Sequence, residues 1–150
     1  MKVYAPSSGI IVHLKQLVTM KNNALIRVFI SPLHPHTVYS PVRGSVSEIQ
    51  SSKGWRIPAF LPMAVKYNPK VKVVLQGYSG AKLLVTVFGG LLTYKLFPLV
   101  KQEQQVSALE KIVEIRFGSL VEIQGKINFD ESLRVGQVLS AGQRIGDWTE

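Results

Sequence analysis

Val3-Tyr4-Ala5-Pro6-Ser7-Ser8-Gly9 returns as Val38-Tyr39-Ser40-Pro41-Val42-Arg43-Gly44, so V-Y-x-P-x-x-G occurs twice, 35 residues apart. Proline presets the backbone on the approach to a turn, and glycine permits a left-handed exit. Two such turns predict two similar β units packed about a pseudo-twofold axis. The neighbouring runs agree. Ala24–Ile30, Val71–Leu75, Leu83–Phe88 and Ile112–Phe117 are short, rich in β-branched residues and bounded by Gly, Pro or Ser. The best helical stretch, Gln102–Glu110, lacks a wide apolar stripe and reads as a polar connection with one turn at most. The expected architecture is mostly β. It is a small antiparallel β-sandwich or barrel-sandwich with an internal pseudo-twofold repeat, one short helix at most, and a single domain over 1–150.

Composition narrows the function classes. The chain has 150 residues, 46% of them hydrophobic, and no cysteine. That supports one domain with a real core and excludes a disulfide scaffold, a thiolate metal site and a Cys nucleophile. No run approaches the roughly 18 apolar residues of a membrane-spanning helix. The start, Met1-Lys2-Val3-Tyr4-Ala5-Pro6, lacks the apolar stretch of a signal peptide, which predicts a cytoplasmic protein. The net charge of +9 predicts a polyanionic partner, either an anionic membrane surface or nucleic acid. Basic residues are scattered singly. They alternate with aromatics only near Trp55-Arg56 and Tyr94-Lys95, so a nucleic-acid-binding β domain is the weaker alternative.

Three features carry chemistry. His34 and His36 flank Pro35, which disfavours a regular strand, and no Asp or Glu lies within ten residues; no metal site is expected. His13 reads as an exposed strand residue. Gly118-Ser119 stands between two extended runs, where it is either a β-bulge or a serine nucleophile in an unusual setting. The stretch Trp55-Arg56-Ile57-Pro58-Ala59-Phe60-Leu61-Pro62-Met63-Ala64-Val65 is apolar, kept irregular by prolines and flanked by Lys53, Arg56 and Lys66. It either folds onto the core or inserts at a lipid interface, aromatics at headgroup depth and cations on acidic lipid. The C-terminal run Val135–Gly146 resembles the tight hairpins of lipoyl-like domains, but no lysine sits in a turn to carry a swinging arm.

The order of motifs matches a known pattern. Val3–Gly9 looks like an S-P-A-D-G turn. Phe29-Ile30-Ser31-Pro32-Leu33-His34-Pro35-His36 looks like F-M-S-P-x-D-V-H, and Ser40–Gly44 like the A-P-V-x-G that follows it. Asn68 stands at the Asn of N-E-R-N, Gly90-Leu91-Leu92 resembles G-L-I, and Arg116-Phe117-Gly118-Ser119 matches R-F-G-S. The chain thus resembles the phosphatidylserine decarboxylase family in its short form. The resemblance implies that the Gly118–Ser119 bond cuts itself into 1–118 and 119–150, held together by a shared sheet. Ser119 would become a pyruvoyl group, the electron sink for converting a serine phospholipid to the ethanolamine phospholipid. It implies peripheral attachment to an anionic membrane, with Trp55, Arg56, Phe60 and Asn68 near substrate or lipid, and pairing of two copies as a homodimer. His36 matches the family histidine tied to decarboxylation.

The departures are specific. Ser8 replaces the family's Asp, and His34 takes the Asp position of P-x-D-V-H. Tyr39 stands where short members carry Arg, Pro69-Lys70 where they carry Glu-Arg, and Leu120 follows the processing serine. The usual glycines before the processing site are missing around Glu103, Leu109 and Val113. Cleavage would then rely on His36 or His34 as base, with Ser8 or Tyr39 in support. Loss of the carboxylate leaves an alternative: an unprocessed, non-catalytic membrane-surface module.

Overall fold

The period of two read from the sequence is the period of burial. Along β3 (Ala24–Ile30), Ala24, Ile26, Val28 and Ile30 are buried, while Leu25, Arg27 and Phe29 are half-buried. The computed structural model describes residues 1–19, 23–31, 37–93 and 95–149. The other strands are β1 (Lys2–Tyr4), β2 (Gly9–Lys15), β4 (Thr37–Tyr39), β5 (Gly44–Ser52), β6 (Lys70–Gln76), β7 (Lys82–Gly89) and β8 (Lys95–Pro98). They continue as β9 (Gln105–Val106), β10 (Lys111–Arg116), β11 (Ser119–Gly125), β12 (Ile127–Phe129), β13 (Val138–Leu139) and β14 (Arg144–Trp148).

The strands form one large antiparallel sheet, ordered β13-β2-β3-β11-β7-β6-β5-β9, and two small ones, β1-β14-β12 and β4-β10-β8. One continuous apolar core joins all three, drawing Val28, Val85 and Ile123 from the large sheet, Val3 and Ile145 from one small sheet, and Val38 and Ile112 from the other. This is an open sandwich, mostly β, as the sequence predicts.

The internal repeat is visible as hydrogen bonds. Tyr4 N–H donates to Pro41 O (3.0 Å), and Tyr39 N–H donates to Pro6 O (2.8 Å), so the two V-Y-x-P turns clasp each other. Each turn then repeats one pattern with a distant segment. Ala5 N–H donates to Gln143 O and Ala5 O accepts from Gly142 N–H; Ser40 and Ile11 do the same with Glu110/Leu109 and Gln137/Gly136, and Val46 with Gln104/Glu103. The axis runs between β7 and β11, and the strand order reads the same outward from it on both sides.

The stretch 102–110 contains β9 between turns and no helix. Among the described residues the one α-helix is α1 (Ala64–Tyr67), a single turn at the end of the apolar stretch. The prolines therefore do not keep the whole stretch irregular. Past Pro62 the chain is free to make i→i−4 bonds, and Tyr67 and Asn68 N–H donate to Met63 O and Ala64 O.

Candidate active site

β10 ends in a small sheet and β11 begins in the large one, so the chain must change sheets within Phe117 and Gly118. Both residues are left-handed, with φ of 59° and 51°. For phenylalanine this conformation costs about 1–2 kcal/mol. The link is thus a strained corner between two sheets and not a bulge inside one long strand. A helical backbone turns successive carbonyls to one side, whereas an extended one alternates them. Here Phe117 O and Gly118 O both come within reach of Thr93 Oγ1, at 2.8 and 2.7 Å. Gly90 N–H donates to the same hydroxyl at 2.7 Å. Gly90 itself must lack a side chain, because a Cβ there would lie 2.7 Å from Gly118 O.

Ser119 opens β11, paired with Ile30 on one side and Gly89 on the other. Cross-strand partners share a face, so its side chain points with Ile30 into the sandwich. It is fully buried, and among the described residues its Oγ has no hydrogen-bond partner. An unsatisfied buried hydroxyl costs about 1–3 kcal/mol. Stability therefore gives no reason to keep a serine here.

On the outer face of the sheet, an apolar pocket of about 280 Å³ ends at Gly118; Phe29, Ala59, Phe60, Leu91 and Leu92 also line it. The apolar stretch forms its wall. Ala59 packs inward with Phe88 and Leu120, and the Phe60 ring meets Phe29 edge-on at 6.2 Å. Other members face out: Trp55 is 74% and Phe60 65% exposed. The stretch thus anchors on the sheet through Ala59 and presents Trp55 and Phe60 to solvent. Leu91 and Leu92, 53% and 62% exposed, extend that apolar surface. Sequence reading missed them as surface residues, though two leucines after Gly-Gly in a turn were a usable signal. Lys53, Arg56 and Lys70 line a neighbouring cleft of about 450 Å³.

Asn68 holds the wall in place. Its Oδ1 accepts Ile57 N–H at 2.8 Å, and its Nδ2 donates to Ile57 O and to Gly89 O, the latter at 2.6 Å. It is completely buried, with both amide hydrogens used. Asn68 thus clips the wall to the sheet.

The structure does not gather all the expected residues. Ser8 precedes β2, which β3 separates from β11; two strand spacings put it roughly 10 Å from Ser119. Its Oγ accepts Ala141 N–H at 3.0 Å. Tyr39 is half-buried in β4 and lines a shallow hollow with Leu109, Ala141 and Gly142. Ser8 and Tyr39 thus meet around Ala141. His34 and His36 lie outside the described residues, as does Tyr94. Sequence reading missed Thr93, one residue beyond the Gly90-Leu91-Leu92 motif.

The phosphatidylserine decarboxylase family profile matches residues 6–147, nearly the whole described chain. The chain belongs to the phosphatidylserine decarboxylase family. It is 28% identical over 125 residues to a phosphatidylserine decarboxylase proenzyme of Wolbachia sp. subsp. Brugia malayi, covering 83% of this chain and 54% of that one. A proenzyme of the same name from Chlorobium limicola is 25% identical over 146 residues, covering 95% of this chain and 68% of the relative. The chain thus spans about half to two-thirds of the length of these relatives. No solved structure matches it.

Proposed function

We propose that this chain is a pyruvoyl-dependent decarboxylase of phosphatidylserine, which makes its catalytic group by cutting its own Gly118–Ser119 bond. The observation that carries this reading is the Ser119 hydroxyl, buried without a partner among the described residues and directly after the left-handed Phe117–Gly118 corner. Addition of Ser119 Oγ to the Gly118 carbonyl carbon, with rupture of the C–N bond, gives an ester and a free amine at residue 119. Removal of the Ser119 Cα proton expels the ester carboxylate with chain 1–118 and leaves dehydroalanine. Water then converts that to the ketone and releases ammonia. The pair His34 and His36 supplies the base in this reading.

The site fits a group made in place: residue 119 is buried, its hydroxyl bonds to none of the described residues, and the apolar pocket reaches the preceding residue. Once formed, the pyruvoyl carbonyl supplies the electron sink for loss of carbon dioxide from an amino-acid headgroup. The chain's own residues do the rest. Trp55, Phe60, Leu91 and Leu92 set the pocket mouth against acidic phospholipid, with Lys53 and Arg56 beside it. Strand β11 stays bonded on both sides to β3 and β7, which keeps fragments 1–118 and 119–150 together.

Intact mass of the purified protein tests the reading. Cleavage gives two fragments, 1–118 and 119–150, and Ser119→Ala abolishes it. A single species at 16.6 kDa that persists on incubation overturns it. One observation favours a second reading, a non-catalytic membrane-surface module. Ser8, at the family's Asp position, is neutral and spends its oxygen on Ala141 N–H. Vesicle binding by a persistently intact chain supports that reading.

A further inference from the structure

We infer that Thr93 is the hydroxyl that polarises the Gly118 carbonyl for self-cleavage. This inference rests on the proposed cleavage at Gly118–Ser119. Thr93 lies on the β7–β8 connection, 25 residues before the bond, and is 4% exposed. Its Oγ1 accepts one hydrogen bond, from Gly90 N–H at 2.7 Å. That leaves a single hydrogen for two acceptors, Phe117 O at 2.8 Å and Gly118 O at 2.7 Å. Both acceptors are within reach because both corner residues are left-handed.

The two acceptors have different fates. As Ser119 Oγ adds to the Gly118 carbon, negative charge develops on Gly118 O, while Phe117 O stays a neutral amide oxygen. A donor shared between them shifts to the stronger acceptor, so the bond to Gly118 strengthens as the reaction proceeds. Stabilisation of that kind lowers the barrier because it is greater in the transition state than before it. Thr93 itself is buried, which strengthens the bond further. Gly90 completes the arrangement. Its N–H aims the threonine oxygen, and its lack of a Cβ leaves room for Gly118 O. The wall around the same carbonyl is apolar.

The test follows the rate of self-cleavage by intact mass in the full chain. Thr93→Val keeps the shape and removes the donor. Loss of one such donor lowers rates by roughly 100-fold to 1,000-fold. Thr93→Ser restores a donor, and cleaves within about tenfold of the parent. Near-UV circular dichroism reports whether each variant keeps its packing. If Thr93→Val does not fold, Thr93→Cys carries the comparison, since it fills the same place with a much weaker donor. Hydroxylamine adds a readout that a merely structural role would not move. It captures the ester in the parent, and Thr93→Val accumulates none. Parent cleavage that Ser119→Ala abolishes, with folded Thr93→Val cleaving at the parent rate, overturns the role of Thr93 and leaves the proposed function standing. A parent that never cleaves overturns both.

Discussion

The two halves of the sandwich share their hydrogen bonds position by position, yet differ in how the strands next to the axis are joined. In one half β6 and β7 form a hairpin closed by residues 77–81, where Gly77 N–H donates to Ala81 O and Gly80 takes a φ of 89°. In the other half, β3 and β11 pair in the same way, with Ile30 and Ser119 as the closing pair, but nothing joins them. β3 leaves toward β4, and β11 is entered from a different sheet through Phe117 and Gly118. Cutting the second half at Gly118–Ser119 opens no hairpin, and β11 keeps its ladders to both neighbours. The repeat thus supplies a rigid frame, and its one missing hairpin supplies a bond that can be broken without unfolding.

The connections diverge in the same sense. Residues 53–69 join β5 to β6 and wall the pocket, while their counterparts, residues 16–23, join β2 to β3 at the opposite end of the sheet. Residues 90–94 join β7 to β8 and bring Thr93 to the corner, whereas Lys126 alone joins β11 to β12. The proposed chemistry sits where the symmetry fails.

The sharpest way to break this comparison is to release the longer connection. Asn68→Ala removes the side-chain partner of buried Gly89 O and of the half-buried Ile57 N–H and O, at a cost of about 3 kcal/mol. For a chain of this size that lowers Tm by roughly 6–12 °C. Calorimetry measures the shift, and limited proteolysis locates new cuts within 53–69. Thr19→Ala in the shorter connection should move neither. Equal, small effects at the two positions would mean that Asn68 clips nothing.

A smaller effect separates the two connections by function. Trp55→Ser with Phe60→Ser removes exposed aromatic surface and weakens binding to vesicles containing phosphatidylserine by about tenfold or more, with Tm unchanged. Val18, 79% exposed in the other connection, provides the control. Val18→Ser should leave binding as it was. Binding left unchanged by either variant would assign the attraction to the overall +9 charge rather than to the pocket mouth.

Much of the frame was legible in the sequence because its signals are local. Alternation along Ala24–Ile30 and the recurrence of V-Y-x-P-x-x-G need no knowledge of what lies across the sheet. The serine and its glycine were legible through motif order. Thr93 was not, because its importance depends on the backbone conformation of residues 25 positions away. A threonine in a turn carries no mark of the carbonyl it will meet. Asn68 was legible as a site residue through motif order, while its role as a clip depends on packing against Ile57 and Gly89. The missing glycines at Glu103 and Leu109 were noticed as family departures, and the repeat gives them a physical meaning.

Glu103 and Gly136 make the same bond in the two halves, donating N–H to Val46 O and Ile11 O, each at 2.7 Å. Both are left-handed, with φ of 71° and 92°, but only one is glycine. Leu109 and Gly142 repeat the contrast, at 67° and 85°. The conformation is therefore imposed by the frame and tolerated by the side chain. A Cβ added at Gly136 would meet nothing within 4 Å, so Gly136→Ala reports backbone strain alone and should destabilise by about 1 kcal/mol. Glu103→Gly relieves the same strain but adds freedom to the unfolded chain, for a net gain of about 0.5 kcal/mol. Denaturant titration resolves both, as opposite shifts in midpoint at unchanged slope. If Glu103→Gly instead destabilises, the Glu103 side chain holds its corner by contacts that Gly136 does without, and the two halves are equivalent only in their hydrogen bonds.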